Sequence, residues 1–175
     1  KNGKFYFNKK LISCEIKNSK ITNLHFEDGE NYDVSNKTIV STIPLNIMCN
    51  TLNIPCSLMF NSVRLVNVIM SKKYCLPKDV HSIYFAHDTL HFHRVTEQKR
   101  FSSFGYPDDK TLVTFEVSYT ARKHLGEISD EKIVKEVFDQ FVSIGMAEKK
   151  DFIKGFSIKL PNVNPVMTLG YEKEL

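Results

Sequence analysis

Alternating apolar and polar positions at the start of the chain predict a β-meander. Each alternating run is followed by residues that favour tight turns, Asn18-Ser19 after the first run and Asp28-Gly29 after the second. An apolar run just before Pro44 then predicts a buried strand. The predicted strands of this part are residues 11–16, 21–26, 32–34 and 38–43.

A helix should begin at Pro44, because a proline at the first helical position gives up no hydrogen bond. Leu45, Met48, Cys49 and Leu52 follow at helical spacing. The sequence therefore predicts a short helix directly after the meander.

The pattern changes after Pro55 and predicts a second sheet. Residues 63–70 are apolar on both alternating faces, which is typical of an interior strand. Several short strands in a row imply antiparallel neighbours, and Pro161 and Pro165 should frame an irregular exit. The further predicted strands are residues 83–85, 91–95, 111–119 and 152–160.

The clearest helix signal lies between these strands. Ser129 is a favourable N-cap, acidic residues occupy the first turn, and Gly145 provides a left-handed C-terminal cap. Its apolar stripe comprises Ile133, Val134, Val137, Phe138, Phe141 and Ile144. The predicted class is α+β, an N-terminal β-meander followed by a mixed, largely antiparallel sheet backed by helices.

Composition excludes several function classes. The 175 residues are 42% hydrophobic and carry a net charge of +4, and the basic pairs lack the aromatic neighbours that would follow a nucleic-acid backbone. No apolar run is long enough for a membrane span. The four cysteines show no Cys-x-x-Cys spacing, so we expect reduced thiols and a cytoplasmic protein. The abrupt start and end of the sequence predict a segment of a longer protein.

Residues 92–102 carry the strongest candidate chemistry. A guanidinium on a strand can bind a phosphate or carboxylate through two hydrogen bonds, so Arg94 is predicted to anchor an anionic substrate group. Glu97 should orient Arg94, although a purely structural Arg–Glu pair explains the pattern equally well. Lys99 adds positive charge, and the predicted aromatic walls of the pocket are Tyr84, Phe104 and Tyr106. These aromatic residues could instead fill a core.

Other catalytic patterns are weak. His91 and His93 lie two apart on a predicted strand, so both side chains share a face and could bind a metal together. No third ligand stands at a useful spacing, so no metal site is predicted, and a metal-dependent site there is only a third alternative. There is no Gly-x-Ser-x-Gly elbow and no glycine-rich phosphate loop among the seven glycines. Any dinucleotide cradle must therefore lie outside this stretch.

Three motifs in order resemble the FAD-dependent amine oxidoreductase superfamily, in particular its UDP-galactopyranose mutase-like and protoporphyrinogen oxidase-like members. The first is the meander followed by Ser-Thr-Ile-Pro at residues 41–44. The second is the run at 92–101, similar to an aromatic-x-Arg-aliphatic-x-Glu-x-Lys-x-Phe stretch, and the third is Asn164-Pro165-Val166 with Tyr171. Residues 114–117 lack the mutases' arginine, and Asn164 replaces a tyrosine, so the resemblance favours a broader flavin oxidoreductase.

The resemblance implies site residues and domains. Leu11 would approach the adenine of FAD, and Thr42, Ile43 and Pro44 would lie near the crossing between domains. Arg94 would face the substrate pocket, to which Tyr171 would also contribute. Residues 1–54 would belong to the flavin-binding domain and residues 55–175 to the substrate-binding domain.

The predicted function is the substrate-binding portion of an FAD-dependent oxidoreductase that acts on a nucleotide-sugar or another anionic small molecule. Its partners would be that substrate and the remainder of the flavin domain, and the portion alone should be inactive. The alternative is a non-catalytic carbohydrate- or protein-binding module.

Overall fold

A computed structural model describes residues 3–174, with side chains as far as residue 172. The chain forms two compact units. One comprises the described residues up to Met59 together with those from Val166 onwards, and the other is Phe60–Pro165.

The first unit contains the predicted meander. Its strands pair antiparallel in the order β1-β2-β3, and the turn between β1 and β2 places Asn18 and Ser19 at φ 50° and 61°. Gly29 has φ 85°, which a glycine adopts without the steric cost of a Cβ. The predicted helix after Pro44 is confirmed, and the elements are β1 Leu11–Lys17, β2 Lys20–Phe26, β3 Asn31–Asp33 and α1 Leu45–Thr51.

The predicted buried strand at residues 38–43 is wrong. The segment has no strand structure, and the side chains of Val40 and Ile43 are 83% and 40% exposed. An extended run becomes a strand only when a neighbour satisfies its backbone groups. Within the described residues the three-stranded sheet ends at β3, so no strand pairs with this run.

The second unit is built on a five-stranded sheet in which every pairing is antiparallel, with the order β5-β6-β7-β4-β8. The predicted interior strand is confirmed as β4, which lies between β7 and β8. The strands are β4 Phe60–Met70, β5 Ser82–Tyr84, β6 Arg94–Glu97, β7 Thr111–Ser118 and β8 Phe152–Pro165.

Two helices pack on one face of this sheet, α2 Lys123–Glu127 and α3 Asp130–Ser143. The predicted N-cap of α3 is confirmed, since the Ser129 hydroxyl accepts a hydrogen bond from the Lys132 amide at 3.2 Å. The apolar stripe of α3 packs with Phe92 and Phe115, whose ring centroids are 5.1 Å apart. Burial of each such ring contributes about 1.5–3 kcal/mol. The α+β class is therefore confirmed.

Some boundaries differ from the prediction. The strand predicted at 91–95 begins only at Arg94, because the His91 amide donates to the Gln140 side chain at 2.8 Å and not to a strand. Helix α2 was not predicted, and it is only one turn long.

Strand β8 continues past Pro161, where an irregular exit was predicted. Leu160 pairs with Val63 and Asn164 with Asn61, so residues 161–163 form a bulge opposite Ser62. A proline is tolerated at a bulge of an edge strand, because little ladder pairing is lost there. Three 3₁₀ segments, Gln98–Arg100, Lys149–Asp151 and Tyr171–Glu174, complete the structure.

No helix among residues 3–174 combines the length and apolar character that a membrane crossing requires.

Candidate functional site

The candidate site lies on the face of the five-stranded sheet that α2 and α3 do not cover, here called the distal face. Side chains of a strand alternate between the faces, and directly paired residues of adjacent strands share a face. Val95 of β6 packs in the core, so Arg94 and Thr96 point to the distal face. Register pairs place these residues on the distal face: Tyr84, Arg94, Thr96, Asn67, Thr114 and Glu116.

Arg94 is fixed by its cross-strand neighbours. Its Nη1 donates to the Tyr84 hydroxyl at 3.0 Å, and its Nη2 forms an ion pair with Glu116. The hydrogen bond to Glu116, followed by that to Tyr84, raises the pKa of Arg94 above its ordinary value. His93 Nε2 lies 3.7 Å from the other carboxylate oxygen of Glu116. The guanidinium is therefore held in one orientation and charged.

The Nε of Arg94 is the one nitrogen of this side chain that has no hydrogen-bond partner among the described residues. It is buried, and no described residue accepts a hydrogen bond from it. Buried donors are nearly always satisfied, so an orphan donor calls for a specific explanation. The Arg94 side chain is 36% exposed, and Tyr84 is 70% exposed, so the cluster is accessible. An anionic ligand at the exposed side of Arg94 would complement its positive charge.

The prediction that Glu97 orients Arg94 is wrong. Glu97 lies three positions along β6 and points to the helix-covered face, because the strand period is two. It is fully buried and accepts hydrogen bonds at 2.6–3.2 Å from the Cys75 and Leu76 amides, the Thr111 hydroxyl and Arg100 Nε. Its role in the structure is to anchor the chain around residues 75 and 76.

Lys99 does not contact Arg94 and points into the loop before β7. Its side chain is buried, with 2% exposure, and its ammonium donates to the backbone carbonyls of Pro107, Asp108 and Lys110. Lys99 thus braces the loop before β7. The structure does not bring it together with Arg94.

The predicted aromatic walls separate into three environments. Tyr84 contacts Arg94, with the guanidinium carbon 5.6 Å from its ring centroid. Tyr106 lines an apolar depression of about 290 Å³ with Ile69, Leu112 and Phe156 of the distal face. Phe104 is 93% exposed and lines neither feature.

The remaining predicted site residues belong to the first unit. Leu11 lies half-buried in β1, and Tyr171 begins a 3₁₀ turn. Thr42 and Ile43 are exposed in the unpaired run, and Pro44 is half-buried at the start of α1. Their roles toward FAD or substrate stay predictions.

The histidines of the predicted 91–95 strand face different carboxylates. His91 Nε2 lies 3.3 Å from Glu136 of α3, whereas His93 faces Glu116. Across residues 3–174, no three His, Cys, Asp or Glu side chains converge as a metal site would require.

Sequence reasoning missed Glu116 as the carboxylate partner of Arg94. The signal available was indirect, since the pairing depends on the register between β6 and β7. Glu116 stands at an outward position of an apolar alternating strand, which marks it as a polar residue on the face away from the core.

The fold and the distal face define a class of protein unit: an antiparallel sheet covered by helices on one face and carrying a charged cluster on the other. No protein-family model matches this chain, and no curated protein matches it in sequence. Solved structures do match.

The chain is similar to the crystal structure of reduced UDP-galactopyranose mutase, with a TM-score of 0.69 and 15% identity, over 87% of this chain and 35% of that chain. It is also similar to a protein described as a protoporphyrinogen oxidase from Exiguobacterium sp. 255-15, with a TM-score of 0.64 and 18% identity over 95% and 37% of the two chains. The PF1083 protein from Pyrococcus furiosus is similar with a TM-score of 0.53 and 10% identity, over 86% of this chain and 36% of that chain.

These likenesses confirm that the chain has the fold of one part of the mutase and oxidase structures. The chain spans about a third of the length of the proteins it matches. At these identities the similarity establishes the fold.

Proposed function

We propose that this chain is the substrate-binding portion, with part of the flavin domain, of an FAD-dependent oxidoreductase or mutase-like enzyme. The distal face is one wall of the substrate cavity, and Arg94 binds an anionic group of the substrate. The observation that carries the proposal is the guanidinium of Arg94, which is fixed by Tyr84 and Glu116 and stays partly exposed. The fold similarity to a mutase and an oxidase supports the same assignment.

The described residues fit FAD only in part. The helix α1 starts without a side-chain cap, and the glycines at positive φ stand singly in turns and not in a glycine-rich phosphate loop. The remainder of the flavin domain would therefore supply most of the FAD contacts, while Leu11, Thr42, Ile43 and Pro44 add contacts at its edge. FAD, when bound, would supply the electron transfer.

The residues of this chain would act by binding and orientation. Arg94 places a phosphate or carboxylate of the substrate, Glu116 and Tyr84 fix the guanidinium, and the apolar depression beside Tyr106 excludes water from the less polar part of the substrate. A nucleotide-sugar satisfies these requirements, since it combines an anionic pyrophosphate with a base whose flat face is less polar.

The test uses the intact parent protein. Its visible absorption spectrum should show bound flavin, and titration with UDP-galactose should show saturable binding. Arg94→Ala should weaken that binding about tenfold or more while the flavin content stays the same, because a charge-assisted contact is lost. Arg94→Lys keeps the charge but lacks the planar guanidinium, so its affinity for UDP-galactose should lie between those of the unaltered protein and Arg94→Ala.

A matched control is Lys123→Ala, which removes an exposed positive charge from α2. A colourless intact protein contradicts the enzyme assignment and favours a binding module. Unchanged UDP-galactose affinity in Arg94→Ala contradicts the role of Arg94.

A further inference from the structure

A polar pocket lies beyond the C-terminal end of β6, several residues past Arg94 in the chain. Its volume is about 440 Å³, and its walls include Tyr74, His81, Lys99, Arg100 and the hydroxyl groups at 102 and 103. We propose that this pocket binds the phosphate group of an organic phosphate monoester. The proposal is independent of the function assigned to the distal face.

The first argument is the charge of Lys99. A buried ammonium is normally paired with a carboxylate, because burial without a counter-charge is costly. Lys99 is 2% exposed, yet its hydrogen bonds go to three neutral carbonyls, and no described carboxylate forms an ion pair with it. The pocket is therefore lined by a positive charge that the protein does not neutralise. A buried charge is also screened little by salt.

The second argument is the geometry of Arg100. Its guanidinium stacks on Tyr74, with the central carbon 3.9 Å from the ring centroid. Nε donates to Glu97 at 3.2 Å and Nη2 to the Leu76 carbonyl, so both the plane and the direction of the group are fixed. No described residue accepts a hydrogen bond from Nη1, and this nitrogen is available to the pocket. A preordered guanidinium with a spare donor is suited to a phosphate oxygen.

Hydroxyl groups add further donors. The Ser102 Oγ accepts a hydrogen bond from the Phe104 amide at 3.3 Å, which leaves its own hydrogen free to donate. Ser103 is the neighbouring residue and is exposed. Two hydroxyls and one guanidinium nitrogen at one pocket match the several acceptor oxygens of a phosphate.

An aromatic surface at the same pocket favours an organic ester over a free ion. His81 stacks on Phe101, with 4.4 Å between ring centroids, and Phe101 remains 60% exposed. The volume of about 440 Å³ exceeds what a phosphate group alone would fill. We therefore place the phosphate at Arg100 and the serine hydroxyls, with the buried charge of Lys99 behind it, and the organic part against Phe101.

One acidic residue, Asp79, also lines the pocket. Its side chain is exposed to solvent, where its charge is screened, whereas Lys99 is buried. The balance at the base of the pocket is thus positive.

The test is a titration of the 175-residue chain by two-dimensional NMR with three probes: inorganic phosphate, phenyl phosphate and phenol. We expect saturable shifts in the amides of residues 99–104, tighter binding for phenyl phosphate than for inorganic phosphate, and no saturation with phenol. Lys99→Met should weaken phenyl phosphate binding about tenfold or more, since the attraction of a buried, weakly screened positive charge is lost.

Lys99→Met also removes bonds to the loop before β7, so a second variant is needed. Ser102→Ala combined with Ser103→Ala touches only pocket hydroxyls and should weaken binding severalfold with an unchanged unfolding midpoint. Lys123→Met, an exposed lysine elsewhere in the same unit, should leave binding unchanged. The proposal is overturned if phenyl phosphate causes no saturable shift, or if the serine variant binds it as tightly as the unaltered chain does.

Discussion

The two faces of the five-stranded sheet each carry an arginine, Arg64 under the helices and Arg94 on the distal face. The Arg64 side chain is fully buried, and it donates to Ser157, to the carbonyls of Leu125 and Ile128, and to Asp130. Those carbonyls lie at the end of α2, where the helix itself provides no donor. Arg64 therefore ties α2 and α3 to the sheet.

Arg94 presents the opposite case. It is 36% exposed, its partners are two side chains of the sheet, and its Nε has no described acceptor. Arg64 serves the structure, because the fold uses its nitrogens as donors and buries the side chain. Arg94 suits ligand binding, because its guanidinium stays partly exposed. That difference should make the two faces respond unequally to substitution.

Replacement of the two arginines should separate the faces most strongly. Arg64→Met leaves buried acceptors at α2 and removes the cation paired with Asp130, and should lower the free energy of unfolding by about 3–5 kcal/mol. Arg94→Met should cost about 1 kcal/mol or less, because its ion pair is partly exposed. Urea unfolding monitored by circular dichroism measures both values. Equal losses would contradict the comparison.

The close approach of α3 to the sheet should be the next most sensitive feature. A Cβ on Gly155 of β8 would overlap Cγ1 of Val134 and lie 3.2 Å from the Asn67 carbonyl oxygen. Gly155→Ala should therefore cost about 1–3 kcal/mol through overpacking. The double variant with Val134→Ala should recover part of this loss relative to the sum of the single variants. Strict additivity in thermal unfolding would show that the helix moves away freely.

The Asp130 carboxylate should give the helix-covered face a pH dependence. Hydrogen bonds from Ser157 and then Arg64 lower the pKa of Asp130 below its ordinary value of 3.8. A lowered pKa in the folded state contributes stability that is complete above 3.8 and is lost as the pH falls through the folded value. The stability advantage of the unaltered chain over Asp130→Asn should shrink on acidification below that point. An advantage that grows in acid would contradict the assigned contacts.

The smallest effect concerns Cys75, which packs against the core under the helices. Burial, and then the nearby Glu97 carboxylate, raise the pKa of this thiol to about 12. Iodoacetamide at about pH 8 should therefore modify Cys75 far more slowly in the folded chain than in urea, because the thiolate is the nucleophile. Peptide mass spectrometry measures the rates, and similar rates in both states would place Cys75 in a more open environment.

Local pattern was sufficient to predict most elements. Strand β4 and helix α3 have apolar positions at the period of their own structure, so their existence follows from residues close in sequence. The run at 38–43 has the same apolar character, but a strand also needs a partner, and partners are not encoded locally.

The candidate site was predicted less completely. Arg94 and Tyr84 were both named from the sequence, and the structure brings them together. The choice of Glu97 as the partner failed because proximity along a strand does not mean a shared face, whereas Glu116 lies directly across. Register between strands distant in sequence depends on the whole sheet, so the correct carboxylate could not be read from residues 92–102 alone.

The bulge at residues 161–163 of β8 has a consequence for solubility. An outermost strand of fourteen residues offers a template on which another molecule could add a strand and begin aggregation. Pro161 has no amide hydrogen that could bond to an added strand. The bulge also bends the strand, whereas continuous pairing with another molecule needs a regular edge. The bulge thus limits how far an incoming strand can extend along this border of the molecule.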